Sequence, residues 1–268
     1  MRGASTRAAV EVVRLTEQAV ESGADAMRLG GQLFAIATVL DAEPTLRRVL
    51  TDPTVEADRK AELAESLLSD FDEPTVGLLG DAVRRRWSRA RDLADAVEQG
   101  GINAFLAAAE SDGDLDELDD ELFRFARITE ANPELRDALN DRTAPVAARQ
   151  RLVETLIGER VGAPALQLAK QAVAGRHRSV LSALAEMQRL AAARRQRLVA
   201  VVRVARPLSA DLRDRLAAAL NSRFGQELQL NVIVDPDVMG GVRVTVGDEV
   251  VDGSVSTRLA EARRRLAG

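Results

Sequence analysis

Residues 33–68 read LFAIATVLDAEPTLRRVLTDPTVEADRKAELAESLL, and this stretch returns without a gap at residues 122–157 as LFRFARITEANPELRDALNDRTAPVAARQRLVETLI. Both copies carry a Leu-Phe pair, a proline two residues after an alanine, and an Asp-x-Thr triplet. Chance similarity between two helical patterns would not reproduce all three features together. The sequence therefore predicts a duplicated helical unit, divided into residues 1–100 and 101–197.

Most of residues 5–197 is typical of amphipathic helices, because apolar residues recur three and four positions apart. Pro44 and Pro133 are each predicted to stop one helix and to begin the next, at a position where proline lacks no hydrogen bond. Thr54 and Thr143 are predicted to cap the helix that follows. Short connections favour antiparallel neighbours, so we expect these helices to form a bundle.

The composition changes at residues 198–205, where the β-branched run LVAVVRVA favours a strand. A helix capped by Ser209 should follow and stop at Gly225. Three further strands are predicted, at residues 228–234, 242–246 and 249–251, and the third is the returning arm of a hairpin. A final helix should follow them. The predicted fold class is thus mainly α, with the duplicated helical bundle region followed by a small α+β domain over residues 198–268.

The segment from Asp235 to Leu259 combines paired glycines, an Asp-Gly-Ser triplet and an Arg-Leu pair in a particular order. This segment resembles the C-terminal signature of the delta subunit family of F-type ATP synthases, which includes the mitochondrial oligomycin-sensitivity-conferring protein. The second helical copy is also similar to the family's N-terminal bundle, over residues 104–118 and 130–136. The first copy matches less closely, because a typical member has a single bundle. The signature positions are Asp235, Pro236, Gly240, Gly241, Gly247, Asp252, Gly253, Ser254, Arg258 and Leu259.

The resemblance implies a non-catalytic stator subunit that keeps rotation coupled to ATP synthesis and proton transport. The helical part would grip the N-terminal helices of the alpha subunits in the catalytic head, which also contains beta subunits, and the C-terminal domain would hold the b-type stalk subunit. The chain would lie at the cytoplasmic face of the cell membrane through its partners, without a cofactor. We expect the extra copy to brace the stalk. The helices expected to bind alpha are marked by Phe105, Leu106, Leu118, Leu122, Phe123 and Leu168.

Composition excludes several other classes of protein. The formal net charge of −5 gives no bulk support for binding a polyanion, and the absence of cysteine excludes disulfides and thiolate chemistry. Charged residues interrupt the first twenty positions, which is unlike a signal peptide, and no eighteen apolar residues run together. We therefore expect membrane association through partners only.

Catalytic and metal sites find little support in the residue pattern. His177 is the sole histidine, which removes most general-base and metal-ligand schemes and favours a packing role. A calcium-binding loop that started with the acidic run at residues 112–121 would need glycine at its sixth position and glutamate at its twelfth. The chain has Glu117 and Phe123 at those positions. Ser254 has no histidine near it in sequence to act as a base. We predict no catalytic residue and no metal ligand.

Two alternatives of other classes remain open at this stage. The arginines of residues 84–91 form the best basic patch, which a helical adaptor could use to bind nucleic acid or another protein. Such a charge run is more often a solvated helix face or a contact with an acidic protein. An enzyme, the weaker alternative, would need a polar pocket in the C-terminal domain with shifted carboxylate pKa values.

Overall fold

The computed structural model describes residues 3–174, 176–197, 199–224, 228–235, 238, 241–246 and 249–252. The chain forms two compact units, Met1–Ala191 and Ala192–Gly268. Within the described residues, helices dominate the first unit and a small mixed sheet with one helix forms the second. The predicted fold class, mainly α with a small α+β C-terminal part, is confirmed.

Eleven helices precede the first strand in the described part of the chain. They are α1 (Ala4–Glu21), α2 (Ala26–Ala42), α3 (Pro44–Thr51), α4 (Ala57–Leu67), α5 (Glu73–Arg84), α6 (Ala90–Asp112), α7 (Leu115–Ala131), α8 (Pro133–Asn140), α9 (Val146–Ile157), α10 (Ala163–Ala172) and α11 (Val180–Arg197).

The helix boundaries repeat as regularly as the sequence does. Helices α7, α8 and α9 begin 89 residues after α2, α3 and α4, and α10 and α11 begin 90 residues after α5 and α6. Pro44 and Pro133 stand at the first position of α3 and α8, as predicted from their missing N–H groups. The duplication in the sequence is therefore also a duplication of structure.

The expected N-caps at Thr54 and Thr143 are wrong, because Glu56 and Pro145 precede α4 and α9 instead. Each threonine is held in a local turn, in which its backbone N–H and its hydroxyl both donate to an aspartate two residues earlier. The two donor–acceptor distances are 2.8 and 2.6 Å at Asp52, and 2.9 and 2.7 Å at the corresponding aspartate of the second copy. An Asp-x-Thr triplet satisfies its own backbone before the helix begins.

Helix α6 is common to both copies. It runs unbroken from Ala90 to Asp112, and 16 of its 23 residues are buried. It packs chiefly against α1 and α2 and also contacts α7 and α10. The proposed boundary between residues 100 and 101 therefore falls inside a helix, and the two copies form one compact unit rather than two bundles.

Three glycines allow α6 to lie this close to its neighbours. A Cβ at Gly101 would stand 2.6 Å from the ring of Phe34, and a Cβ at Gly30 would stand 2.7 Å from the ring of Phe105. The two rings themselves are 5.2 Å apart and tilted by 40°. At Gly100 a Cβ would meet the Thr16 hydroxyl of α1 at 3.0 Å. Small residues thus bring both α1 and α2 against one stretch of α6.

The C-terminal unit contains a four-stranded sheet in the order β2-β1-β3-β4. Strand β1 pairs in parallel with β2 and antiparallel with β3, which pairs antiparallel with β4 as the predicted hairpin arm. The inner face of the sheet packs against apolar side chains of α12, as expected for alternation with a period of two. These elements are β1 (Val199–Val204), α12 (Ala210–Phe224), β2 (Gln229–Val234), β3 (Val242–Val246) and β4 (Glu249–Asp252).

Candidate functional site

Three of the predicted signature residues lie within the described part of the sheet. Asp235 directly follows β2, where its N–H donates to the carbonyl oxygen of Val204 at 2.8 Å and its carboxylate lies 3.3 Å from Arg203. Gly241 has a φ of 82°, which favours glycine, and Asp252 ends β4. The remaining predicted positions lie outside the described residues, and their role stays a prediction: Pro236, Gly240, Gly247, Gly253, Ser254, Arg258 and Leu259.

One face of the sheet combines exposed apolar and basic side chains. Ile233 pairs with Arg203, which pairs in turn with Arg243, so these three side chains cross the sheet in one row. Val250 lies in the next row on β4. All four are exposed, and we call this surface the outer sheet face. A mixed apolar and cationic surface of this kind suits contact with a protein.

The residues that mark the predicted alpha-binding helices fall into two groups. Five of the six are buried, and they hold α6, α7 and α10 together: Phe105, Leu106, Leu118, Leu122 and Leu168. Phe123 is 53% exposed, whereas its repeat counterpart Phe34 is 8% exposed under α6. Only Phe123 of this set can touch a partner without rearrangement, and the assignment of these helices to alpha stays a prediction.

Other exposed apolar side chains recur at equivalent places in the two copies. Val39 and Ile128 are exposed on α2 and α7, and Leu67 and Leu156 are exposed on α4 and α9. A single exposed apolar residue is ordinary on a protein surface. Two pairs in corresponding positions indicate that each copy presents a similar outward surface.

The two copies are joined by ion pairs centred on Arg176, a residue whose role the sequence did not predict. Its side chain is only 4% exposed and contacts Asp41 of α2, together with Asp95 and Glu98 of α6 at 2.7 and 2.8 Å. Asp41 belongs to the first copy and Arg176 to the second. The 90-residue offset between α5–α6 and α10–α11 pairs Arg176 with Arg86, whose side chain is exposed. Equivalent positions in the two copies therefore have opposite environments.

The carboxylates around Arg176 ionise differently. Burial raises the pKa of Asp95 above its ordinary value. Burial opposes ionisation of Glu98 too, but contacts with His177, Arg176 and Gln171 hold the pKa of Glu98 below its ordinary value. The hydrogen bond with Glu98 raises the pKa of His177, so this histidine takes part in an ionic contact as well as in packing. These shifts belong to the helical unit, whereas the enzyme alternative required them in the C-terminal domain.

Most arginines of the predicted basic patch have an acidic partner. Arg84 contacts Asp58 at 3.0 Å and Asp81 at 3.4 Å, and Arg85 contacts Glu11 at 3.0 Å. Arg89 and Arg91 pair with aspartates of α6. The indole N–H of Trp87 donates to the carbonyl oxygen of Ala82, so this aromatic side chain makes an internal contact. A patch that is largely neutralised gives little support to nucleic-acid binding.

The acidic run opens a helix, as its sequence indicated. Gly113 ends α6 with a φ of 81°, and Asp116 and Glu117 stand in the first turn of α7. Acidic side chains are favoured at this positive end of a helix. Among the described residues, no cluster of three or more His, Cys, Asp or Glu side chains could hold a metal ion. None of the described helices combines the length and the hydropathy that a membrane span requires.

Comparison with known proteins gives a consistent picture. The profile of the ATP synthase delta (OSCP) subunit family matches residues 103–266. An ATP synthase subunit delta from Streptomyces avermitilis is 48% identical over 256 residues, covering 95% of this chain and 94% of that protein. One from Thermobifida fusca is 42% identical over 270 residues and covers 100% of both chains. A chain of the Toxoplasma gondii mitochondrial ATP synthase hexamer superposes with a TM-score of 0.33 at 20% identity, covering 62% of this chain and 95% of that one, which is too low to bear on the fold.

Proposed function

Because the chain belongs to the ATP synthase delta (OSCP) subunit family, we propose that it is the non-catalytic link between the catalytic head and the b-type stalk subunit. It is a peripheral-stalk subunit of an F-type ATP synthase. The link would lie at the cytoplasmic face of the cell membrane and reach the membrane through its partners. Its task is mechanical, because the head must not turn with the rotor.

The helical unit is the part proposed to grip the N-terminal helices of the alpha subunits. The observation that carries this proposal is the exposure of Phe123, a large aromatic side chain in the copy that the family profile matches. Aromatic side chains exposed on one protein are common anchors for another. An amphipathic helix could pack its apolar face against Phe123. The buried residues that hold α6, α7 and α10 together would keep the surrounding surface rigid.

The outer sheet face is proposed to hold the b-type subunit. Ile233 and Val250 supply exposed apolar surface, and Arg243 supplies positive charge between them, whereas Arg203 is paired with Asp235. Such a surface fits an amphipathic helix with acidic flanks. The assignment is supported by the family resemblance, whose signature residues lie in the same domain.

A stator needs slow dissociation more than any acid–base group. We expect each contact to have a dissociation constant near nanomolar, which corresponds to a binding free energy of about −12 kcal/mol. The close helix packing around α6 and the ion pairs of Arg176 would keep the helical unit stiff under torque. No step in this function requires a nucleophile, a metal or a cofactor.

The stalk contact can be tested without dismantling the sheet. Removal of residues 226–268 would delete β2, β3 and β4 together, so loss of coupling could reflect unfolding. The double variant Ile233→Asp/Val250→Asp places charges on the outer sheet face only. We expect weaker retention of the b-type subunit and reduced ATP-driven proton pumping in membranes. Leu212→Asp, an equally exposed apolar site on α12, is the matched control and should pump normally.

The head contact has its own test. Phe123→Asp should weaken binding of a synthetic alpha N-terminal peptide by about tenfold or more, as loss of an aromatic anchor usually does. Val39→Asp, an exposed apolar site on the first copy, should leave that affinity unchanged. Equal affinity of the Phe123 variant and the parent would remove Phe123 from the proposed contact.

A further inference from the structure

A cleft of about 530 Å³ lies between α1 and the C-terminal end of α5, in the first helical copy. Ala4 and Ala8 of α1 form its apolar floor. Basic side chains dominate its rim, and we call it the arginine cleft. The rim residues are Arg7, Asp81, Arg84, Arg85 and Arg86.

The arginines of the cleft differ in how their charge is compensated. Arg84 and Arg85 have acidic partners within the helical unit. Arg7 and Arg86 are exposed and have no acidic partner in the part of the chain that the structure describes. Two uncompensated guanidinium groups at one cleft are notable in a chain whose formal net charge is −5. They form an attractive site for a carboxylate-bearing partner.

The second copy does not reproduce the basic rim of this cleft. The repeat counterparts of Arg84 and Arg85 are Ala174 and Gly175, and the counterpart of Arg86 is the buried Arg176. The family profile begins at residue 103, so the cleft also lies outside the part shared with single-bundle relatives. The helical fold of a copy therefore does not require Arg84 or Arg85, since the second copy forms without them.

We propose that the arginine cleft binds an acidic segment of another protein subunit of the same ATP synthase. Carboxylates of that segment would pair with Arg7 and Arg86, and a small apolar side chain would rest on Ala4 and Ala8. The proposal needs only that the chain sits in the complex, and it is independent of which surfaces bind alpha and b.

A protein segment fits the cleft better than nucleic acid or a membrane does. Nucleic acid requires a track of several phosphate contacts and is helped by exposed aromatic rings. Among the described residues, this rim offers two guanidinium groups without an acidic partner, and Trp87 makes an internal hydrogen bond. A membrane surface favours a convex amphipathic helix with a broad apolar face. The arginine cleft is concave and bordered by the acidic side chains of Glu11 and Asp81.

Cross-linking in the assembled complex tests the proposal directly. The chain has no cysteine, so Arg86→Cys introduces a single thiol that a benzophenone maleimide can label. After irradiation of the assembled enzyme, we expect adducts with one Asp- and Glu-rich segment of another subunit. Arg48→Cys, at an exposed arginine of the same copy outside the cleft, is the matched control and should not give that adduct. Adducts only within this chain, or on copurifying nucleic acid or lipid, would overturn the proposal.

Charge reversal gives an independent readout on binding. Arg7→Glu/Arg86→Glu should speed dissociation of the chain from the assembled enzyme by about tenfold at low salt, and the difference should shrink as salt is added. Arg7→Lys/Arg86→Lys keeps the charge and should stay within about threefold of the parent. Because both arginines are exposed, circular dichroism should show an unchanged fold. Dissociation at the parental rate with both charges reversed would refute an acidic occupant.

Discussion

Arg176 and Arg86 occupy the same place in the two copies, yet one is buried among carboxylates and the other is exposed. The difference arises because α2 and α6 supply acids to Arg176. Asp41 is 135 residues away from Arg176 in sequence, so neither helical periodicity nor the repeat indicates their contact. Side-chain pairing across such a distance could not be predicted from the pattern. The two prolines, by contrast, act on their own helices and were placed correctly.

Removing Arg176 should be costly. Arg176→Ala leaves Asp95 and Glu98 without their shared counter-ion, so we expect a loss of about 3 kcal/mol in the free energy of unfolding. Arg86→Ala removes an exposed side chain and should change stability by less than about 0.5 kcal/mol. Urea unfolding of the two variants measures both values, and equal stabilities would contradict a joining role for the ion pairs.

Glu121 provides a pH-dependent prediction. Its side chain is 6% exposed and accepts a hydrogen bond from the N–H of Gly162 at 2.8 Å, while burial raises the pKa of Glu121. A raised pKa means that the folded protein binds this proton more tightly than the unfolded chain. Stability is therefore gained as the pH falls through the folded pKa, and the cost of the charge is fully present above it.

The first copy shows how this cost can be avoided. Gln32, the counterpart of Glu121, accepts hydrogen bonds from Asp72 and Thr75 at the start of α5 without carrying a charge. Glu121→Gln should raise the free energy of unfolding at pH 7, because the amide oxygen can accept the same hydrogen bond without the cost of a buried charge. The gain should vanish below the ordinary glutamate pKa of 4.5. Glu62→Gln, at an exposed glutamate of α4, is the control, and denaturant titrations at pH 7 and pH 4 provide the measurement.

At the scale of elements, the glycine pair at 100 and 101 explains the main difference between expectation and structure. Two adjacent glycines usually weaken a helix, and the predicted boundary between the copies fell between them. Here they lie inside α6 because α1 and α2 approach its backbone closely. The sequence contains the glycines but not the neighbours that make them necessary. Tertiary packing thus overrides local propensity at this position.

A matched pair of substitutions isolates this effect. Gly101→Ala adds a Cβ that overlaps the Phe34 ring at 2.6 Å and approaches the Gly30 carbonyl oxygen at 3.2 Å, so we expect a loss of roughly 1–3 kcal/mol. Gly31→Ala, in the interior of α2, meets nothing within 4 Å and should gain about 0.5–1 kcal/mol from helix propensity. Thermal unfolding of both variants would show opposite shifts in Tm. A stabilised Gly101 variant would mean that α2 can move away from α6.

At the scale of the whole molecule, α6 makes the two copies dependent on each other. A chain beginning at residue 101 would lose α1 to α5 and half of α6, and it would expose Ile102 and Phe105 to water. We expect such a fragment to melt well below the full chain and to bind a hydrophobic dye. A chain beginning at residue 90 keeps Asp95 and Glu98 and should be intermediate. A fragment from residue 101 that melts like the helical unit of the full chain would contradict this dependence.

This dependence also bears on the bracing role expected of the first copy. Truncation at residue 101 would damage the second copy as well, so lost coupling would not identify a bracing contact. The arginine cleft variants avoid this difficulty, because they change exposed side chains and leave α6 intact. The repeat and the family signature could be predicted from sequence. The surfaces could not, because exposure depends on which neighbours cover each copy.

The sharing of α6 has a consequence for how such a chain can grow. Helix α6 follows α5 as α11 follows α10, and it precedes α7 as α1 precedes α2. The last helix of one copy is thus the first helix of the next, as in a solenoid whose neighbouring repeats have one helix in common. A third copy inserted after α11 could use α11 as its first helix and extend the array by five helices. Duplication could therefore lengthen this stator component in steps of one copy. Each added copy would reuse the shared-helix contact that α6 makes.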